Sequence, residues 1–210
     1  MTDILKDCPV VPVVAVNHAR DAVPLAEALV AGGINAIEIT LRTETALDSI
    51  RAVAKNVPDM VLGVGTVTTP DEVKACEDAG AQFLVSPALA PKLQQALLDS
   101  PLLALPGTAT PTEALTAYEA GFTRMKLFPA SVVGGVSMIK GIGAPMPQLH
   151  FMPTGGVNTD NMAEYLALPN VYAVGGTWIA KSDAIDSGDW DGITERARAA
   201  MAIAKDVLEG

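Results

Sequence analysis

Short apolar runs recur along the 210-residue chain at a nearly even interval. They begin near Val11, Ala36, Val61, Gln82, Leu102, Arg124, Gln148 and Val171, with gaps of 20 to 25 residues. Each has the length of a β-strand, and each precedes a segment with helical spacing. In the segment from Thr45 to Val57, for example, Ala46, Leu47, Ile50, Val53, Ala54 and Val57 recur at three- and four-residue steps. Strands joined by crossover helices run parallel. The spacing therefore predicts eight strand–helix units.

Helix boundaries carry the same rhythm. Thr69-Pro70-Asp71-Glu72 offers a capping hydroxyl, a proline in the first turn and an acid three residues after the cap, and Thr110-Pro111-Thr112-Glu113 repeats it 41 residues later. Ala79-Gly80 and Ala120-Gly121 follow at matching intervals, and Ala31-Gly32 resembles them. A glycine there suits the left-handed residue that ends a helix. No linker or low-complexity stretch interrupts the pattern. The expectation is one domain over residues 1–210, with a short N-terminal extension (1–9) and a closing helix over 190–208.

Eight such units close most simply into a compact (β/α)8 barrel, the TIM-barrel fold, with its site at the C-terminal ends of the strands. An open doubly wound sheet would call for a glycine-rich loop after the first strand. Asn17-His18-Ala19-Arg20 stands there without a glycine. Buried parallel strands are rich in branched aliphatics, which fits a chain half apolar but only 4% aromatic.

Charge and composition exclude several functions. A net charge of −10 with no basic cluster argues against a nucleic-acid or anionic-membrane partner. No apolar run reaches the length of a membrane span, and Met1 to Cys8 carry both charge signs, unlike a signal peptide. Two cysteines make no disulfide framework, so the cytoplasm is the expected compartment. Two histidines, His18 and His150, cannot build a three-histidine zinc site, and no CxxC pair exists. Metal-free chemistry is expected.

Polar residues inside the strand runs are the anomaly. In Ile37-Glu38-Ile39-Thr40-Leu41-Arg42 the alternation of a strand puts Ile37, Ile39 and Leu41 on one face and Glu38, Thr40 and Arg42 on the other, towards the barrel axis. A carboxylate and a guanidinium there are costly unless paired or employed. Lys126, in Arg124-Met125-Lys126-Leu127-Phe128-Pro129, is the only one of eight lysines inside an apolar strand run. A buried lysine amine can attack a carbonyl. The alternative is an ion pair that only braces the barrel. Pro153-Thr154-Gly155-Gly156 and Val174-Gly175-Gly176-Thr177 close the seventh and eighth strands, where barrels often hold a phosphate on backbone N–H groups. Gly63-Val64-Gly65-Thr66 ends the third strand, either as another small-residue rim or for tight packing.

Taken together, Ile37 to Glu44, Gly63-Val64-Gly65-Thr66-Val67, Ser86-Pro87, Lys126-Leu127-Phe128-Pro129-Ala130, Pro153-Thr154-Gly155-Gly156 and Gly175-Gly176-Thr177-Trp178 resemble the 2-keto-3-deoxy-6-phosphogluconate (KDPG) aldolase family, from about Val10 onward. The resemblance implies a class I, Schiff-base aldolase of the Entner–Doudoroff pathway on a (β/α)8 barrel, usually a homotrimer. Such enzymes cleave the phosphorylated keto-deoxy acid to pyruvate and glyceraldehyde 3-phosphate, and many act on 4-hydroxy-2-oxoglutarate. No cofactor is implied beyond the covalent lysine imine.

By the same resemblance Lys126 forms the imine and Glu38 is the general acid/base. Arg42 with Thr66 clamps the pyruvate carboxylate, and Pro87 and Phe128 wall the pyruvate unit. Thr154, Gly155 and Gly156 belong to the substrate site, with Gly176 and Thr177 at the phosphate. Ala88 departs from the family's usual glycine, and Thr177 from its serine. Three alternatives stay open: an aldolase for the 6-phosphogalactonate epimer, a phosphate-binding barrel isomerase or synthase without imine chemistry, and a non-catalytic phosphosugar-binding barrel.

Overall fold

A computed structural model describes residues 4–210. Among them the chain alternates between strand and helix from one end to the other. The elements are β1 (Val10–Val14), α1 (Ala22–Ala31), β2 (Ala36–Thr40), α2 (Ala46–Asn56), β3 (Val61–Gly65), α3 (Pro70–Ala79), β4 (Phe83–Val85), α4 (Pro91–Asp99) and β5 (Leu103–Leu105). Then follow β6 (Gly107–Thr108), α5 (Pro111–Ala120), β7 (Arg124–Leu127), α6 (Gly135–Gly143), β8 (His150–Pro153), α7 (Met162–Leu166), β9 (Val174–Gly176), α8 (Ser182–Asp186) and α9 (Trp190–Glu209). Eight strand positions thus stand within three residues of the starts expected from sequence, and a helix follows each.

One strand position is split. Pro106 stands between β5 and β6, and proline has no N–H to give to a ladder. The strands consequently form two sheets, one of order β5-β4-β3-β2-β1-β9 and one of order β6-β7-β8. All strand pairs in them are parallel. The six-stranded sheet curls as a half-barrel. Single bridges Phe151↔Val171 and Thr154↔Gly175 stand between β8 and the β9 segment. Lys126 N donates to Pro106 O at 2.9 Å across the other edge.

Two buried layers hold the fold. β1 and β2 are buried at every position, as expected of parallel strands covered on both faces. Ile37, Ile39, Leu62, Val64, Leu84 and Met125 pack outward against the helices, with Leu25, Ile50 and Ile139 among the helical contributions. A second, inner cluster gathers Val11, Ala36, Phe83, Val85, Leu105 and Met152, drawn from both sheets. Leu5 and Cys8 complete it. The expected N-terminal extension thus supplies core residues, and its residues 1–3 lie outside those described.

The capping signals act as the sequence predicts, with one exception. Thr69 with Glu72 and Thr110 with Glu113 form capping boxes, and Gly80 and Gly121 end their helices in the left-handed conformation. Gly32, expected to do the same, has φ −86°. The next residue, Gly33, takes φ 89° instead. A side chain on Gly32 would overlap the Ala197 methyl and the Thr194 carbonyl of α9. Gly32 therefore serves the close approach of two helices.

Candidate active site

The strand C-termini carry the polar residues that the alternation turns inward. Glu38 lies in the middle of β2, opposite Gly63 of β3 and Val13 of β1. Lys126 lies in β7 opposite Gly107 and Met152. Both are almost wholly buried, at 0% and 5% exposure. Lys126 Nζ donates to Glu38 Oε1 at 3.0 Å and approaches Oε2 at 3.5 Å. The opposite charges offset the cost of taking each from water. The ammonium also stands 5.3 Å from the centroid of the Phe128 ring.

This pair opens on a cavity of about 250 Å³. It is lined by all the residues that the family resemblance assigns to catalysis and substrate binding: Glu38, Arg42, Thr66, Pro87, Lys126, Phe128, Thr154, Gly155, Gly156, Gly176 and Thr177. Val13, Thr40 and Val157 join them. Arg42 lies two residues beyond the end of β2 rather than within it, yet it reaches the same cavity. Its Nε donates to Thr40 Oγ1 at 3.1 Å. Arg42 is exposed at the cavity rim, and among the described residues no carboxylate comes within ion-pair distance of it. Thr66 has φ 64°, a left-handed backbone that a β-branched residue rarely adopts. Such strain persists only where surrounding structure fixes it.

Across the cavity, Thr154 N donates to Leu127 O, and Ala130 N and Ser131 N donate to the carbonyls of Thr154 and Gly155. Gly155 and Gly156 follow with φ 94° and 82°. A side chain on Gly156 would strike Ser131, so the backbone turns there without a Cβ in the way. This loop and Gly176-Thr177 give one wall amide-rich small residues, while Arg42 gives the other a cation. The two walls suit a ligand with an anionic group at either end. Neither histidine lines the cavity. Among the described residues no group of three or more His, Cys, Asp or Glu side chains is placed to hold a metal.

The aldolase family described as KDPG and KHG aldolase matches residues 1–196. The chain belongs to that family. It is an aldolase, a carbon–carbon lyase. A 2-dehydro-3-deoxy-phosphogluconate aldolase of Pseudoalteromonas atlantica is 46% identical over 95% of this chain and 93% of its own length. The crystal structure of a KDPG aldolase from Legionella pneumophila, with pyruvate captured at low pH as a covalent carbinolamine, superposes with a TM-score of 0.90 at 42% identity, covering 93% of this chain and 95% of that one. A Zymomonas mobilis KDPG aldolase with 3-phosphoglycerate gives 0.88 at 36% identity over 95% and 93%.

In this aldolase three features of the cavity go beyond what was read from the sequence. Gly65 leaves room for Glu38: a Cβ there would overlap the carboxylate, as one on Gly63 would overlap the Phe83 ring. The Gly-Val-Gly of β3 is therefore packing space for two inward side chains, Glu38 and Phe83. Thr40 was legible as inward-facing, but its bond to Arg42 was not. Val13 follows Val11 on the inner face of β1 and reaches the cavity floor, a position that alternation alone could have found.

Proposed function

We propose that the chain is a class I aldolase that cleaves 2-dehydro-3-deoxy-6-phosphogluconate to pyruvate and glyceraldehyde 3-phosphate, with Lys126 as the imine-forming residue. The observation that carries the reading is the buried 3.0 Å contact between Lys126 Nζ and Glu38 Oε1 at the cavity base. Transfer of the Lys126 ammonium proton to Glu38 leaves a neutral amine, which adds to the C2 carbonyl to give a carbinolamine. Loss of water, with Glu38 supplying the proton to the departing hydroxyl, gives a protonated imine. Glu38, now a carboxylate, takes the proton of the C4 hydroxyl. The C3–C4 bond breaks, its electron pair passes to the imine nitrogen as an enamine, and the aldehyde leaves. The enamine regains a proton at C3, and water releases pyruvate and Lys126. The protonated nitrogen is the electron sink, so the cycle needs no metal or other cofactor.

Arg42, with Thr66, receives the carboxylate as a fork on an anion. Pro87 and Phe128 bound the pyruvate methyl. Thr154, Gly155, Gly156, Gly176 and Thr177 take the phosphorylated end, a reading supported by the two positive-φ glycines, whose backbone lines the cavity without side chains in the way. The same site accommodates 4-hydroxy-2-oxoglutarate, whose far end is also anionic.

The wider reading is a single domain whose two sheets make one closed (β/α)8 barrel, supported by the bridges at one edge and the Lys126–Pro106 hydrogen bond at the other. We read it as a cytoplasmic homotrimer, on the family resemblance. Among the described residues no helix is long and apolar enough to cross a membrane. The deciding experiment is borohydride reduction in the presence of pyruvate, followed by mass spectrometry. The expected result is a pyruvate-derived adduct on the Lys126 peptide that Lys126→Arg abolishes. Full labelling of that variant would remove Lys126 from the role.

A further inference from the structure

Arg42 sits at the mouth of the cavity, on a segment beyond the end of its strand, and a long side chain there has many rotamers to lose. A carboxylate clamp works only if its guanidinium is already in place. Thr40, two residues earlier and 2% exposed, is the group that touches it. The directions of the hydrogen bonds are fixed by chemistry. Arginine has no acceptor, so Nε donates and Thr40 Oγ1 accepts, at 3.1 Å. The single Thr40 hydroxyl proton must then go elsewhere, and it goes to Val14 O of β1 at 2.8 Å. Val14 lies within a strand whose every residue is buried. The β-branched threonine also has few rotamers open to it. A rigid carbonyl thus orients a hydroxyl, and the hydroxyl orients a guanidinium.

With Nε occupied, the edge left open on Arg42 is the one carrying both terminal nitrogens, whose parallel N–H groups match a carboxylate bidentately. We propose that Thr40 is a positioning residue that presets Arg42 for the carboxylate of the keto acid. This inference deepens the aldolase reading and rests on it. Thr40 does not touch the reacting atoms, so its effect belongs in affinity and not in the chemical step.

The test compares Thr40→Val, which keeps shape and loses the hydroxyl, with Thr40→Ser, which keeps the hydroxyl. The readout is borohydride-trapped adduct on Lys126 as a function of pyruvate concentration. Thr40→Val is expected to raise the half-saturating concentration about tenfold, the equivalent of about 1.4 kcal/mol, with the same maximal extent of trapping. Thr40→Ser is expected to stay within about twofold of the unsubstituted protein. The same change is then made in an Arg42→Lys background, where no Nε exists to be held. There Thr40→Val is expected to add nothing. A tenfold effect that persists in that background, or an unchanged half-saturation in the single variant, overturns the proposal. So does failure of Thr40→Ser to restore affinity. Absence of any trapping in the unsubstituted protein overturns the Lys126 reading itself, a result separable from all of these.

Discussion

The Glu38 carboxylate fills the space that Gly65 leaves on the facing strand. Position 65 thereby sets the place of the group proposed to transfer protons, through the side chain it lacks. An alanine there would overlap Oε1, Cδ and Cγ of Glu38, which could yield only into the cavity it lines. Gly65→Ala is expected to fold and to lose about 10²-fold in kcat, the scale of a one-ångström misplacement at a reacting centre. Circular dichroism checks the fold and steady-state cleavage the rate. An unaltered kcat would show that Glu38 tolerates displacement.

Glu38 and Lys126 should separate in their effects. Glu38→Gln retains a group that can bond to Lys126 and removes the general base. Pyruvate binding should survive while turnover falls by about 10²–10⁴. Turnover at the level of the unsubstituted protein would take the acid/base role from Glu38.

Thr66 should matter little for stability and more for affinity. Its φ of 64° costs a β-branched residue on the order of 1 kcal/mol or more. Thr66→Gly removes that strain and adds chain entropy to the unfolded state, so stability should change by less than about 1 kcal/mol. Pyruvate affinity should nonetheless fall, because a cavity-lining hydroxyl is gone. Urea unfolding and imine trapping measure the two sides, and a large stability loss would show that the threonine is structural.

The capping box on α3 gives a pH signature. Burial raises the Glu72 carboxyl, but hydrogen bonds from Thr68 and Thr69 outweigh it and hold the group below its ordinary 4.5. A carboxylate held low stabilises the fold fully above the ordinary value, and the contribution is lost as pH falls through the folded-state value. The unfolding midpoints of the unsubstituted protein and Glu72→Gln should therefore differ at neutral pH and converge in acid. A gap that widens on acidification would contradict the capping role.

Cys76 should be inert to thiol reagents in the folded protein. It is wholly buried, and burial first, with Glu72 and Glu77 adding to it, pushes its thiol up to about 12. The thiolate is the reactive form. Modification of Cys76 should accordingly follow unfolding, and a labelling rate insensitive to denaturant would refute this.

Much of the architecture was legible because its causes are local. Strand runs, capping boxes and left-handed glycines each lie within a few residues of the signal that produces them, and the inward set Glu38, Thr40 and Lys126 followed from two-residue alternation. What escaped depends on partners remote in sequence. Gly32 stops α1 as it looked set to do, but without the left-handed turn, and its close contact with α9 exists only in the folded chain. Pro106 was visible, but its splitting of one strand position into two sheets was not. Leu5 read as part of a tail and lies in the inner core. In the site, residue types were readable, whereas the bond from Arg42 to Thr40 depends on where a strand ends.

β1 pairs with β2 on one side and with β9 on the other, at Val10↔Val174. β1 therefore waits for a strand that is made much later. At roughly 5–20 residues per second, that edge stays without its partner for roughly 10–30 s. For that interval a fully apolar strand, VVPVV, presents unpaired backbone to its surroundings. The timing of synthesis leaves this edge of β1 open long after its other edge has met β2.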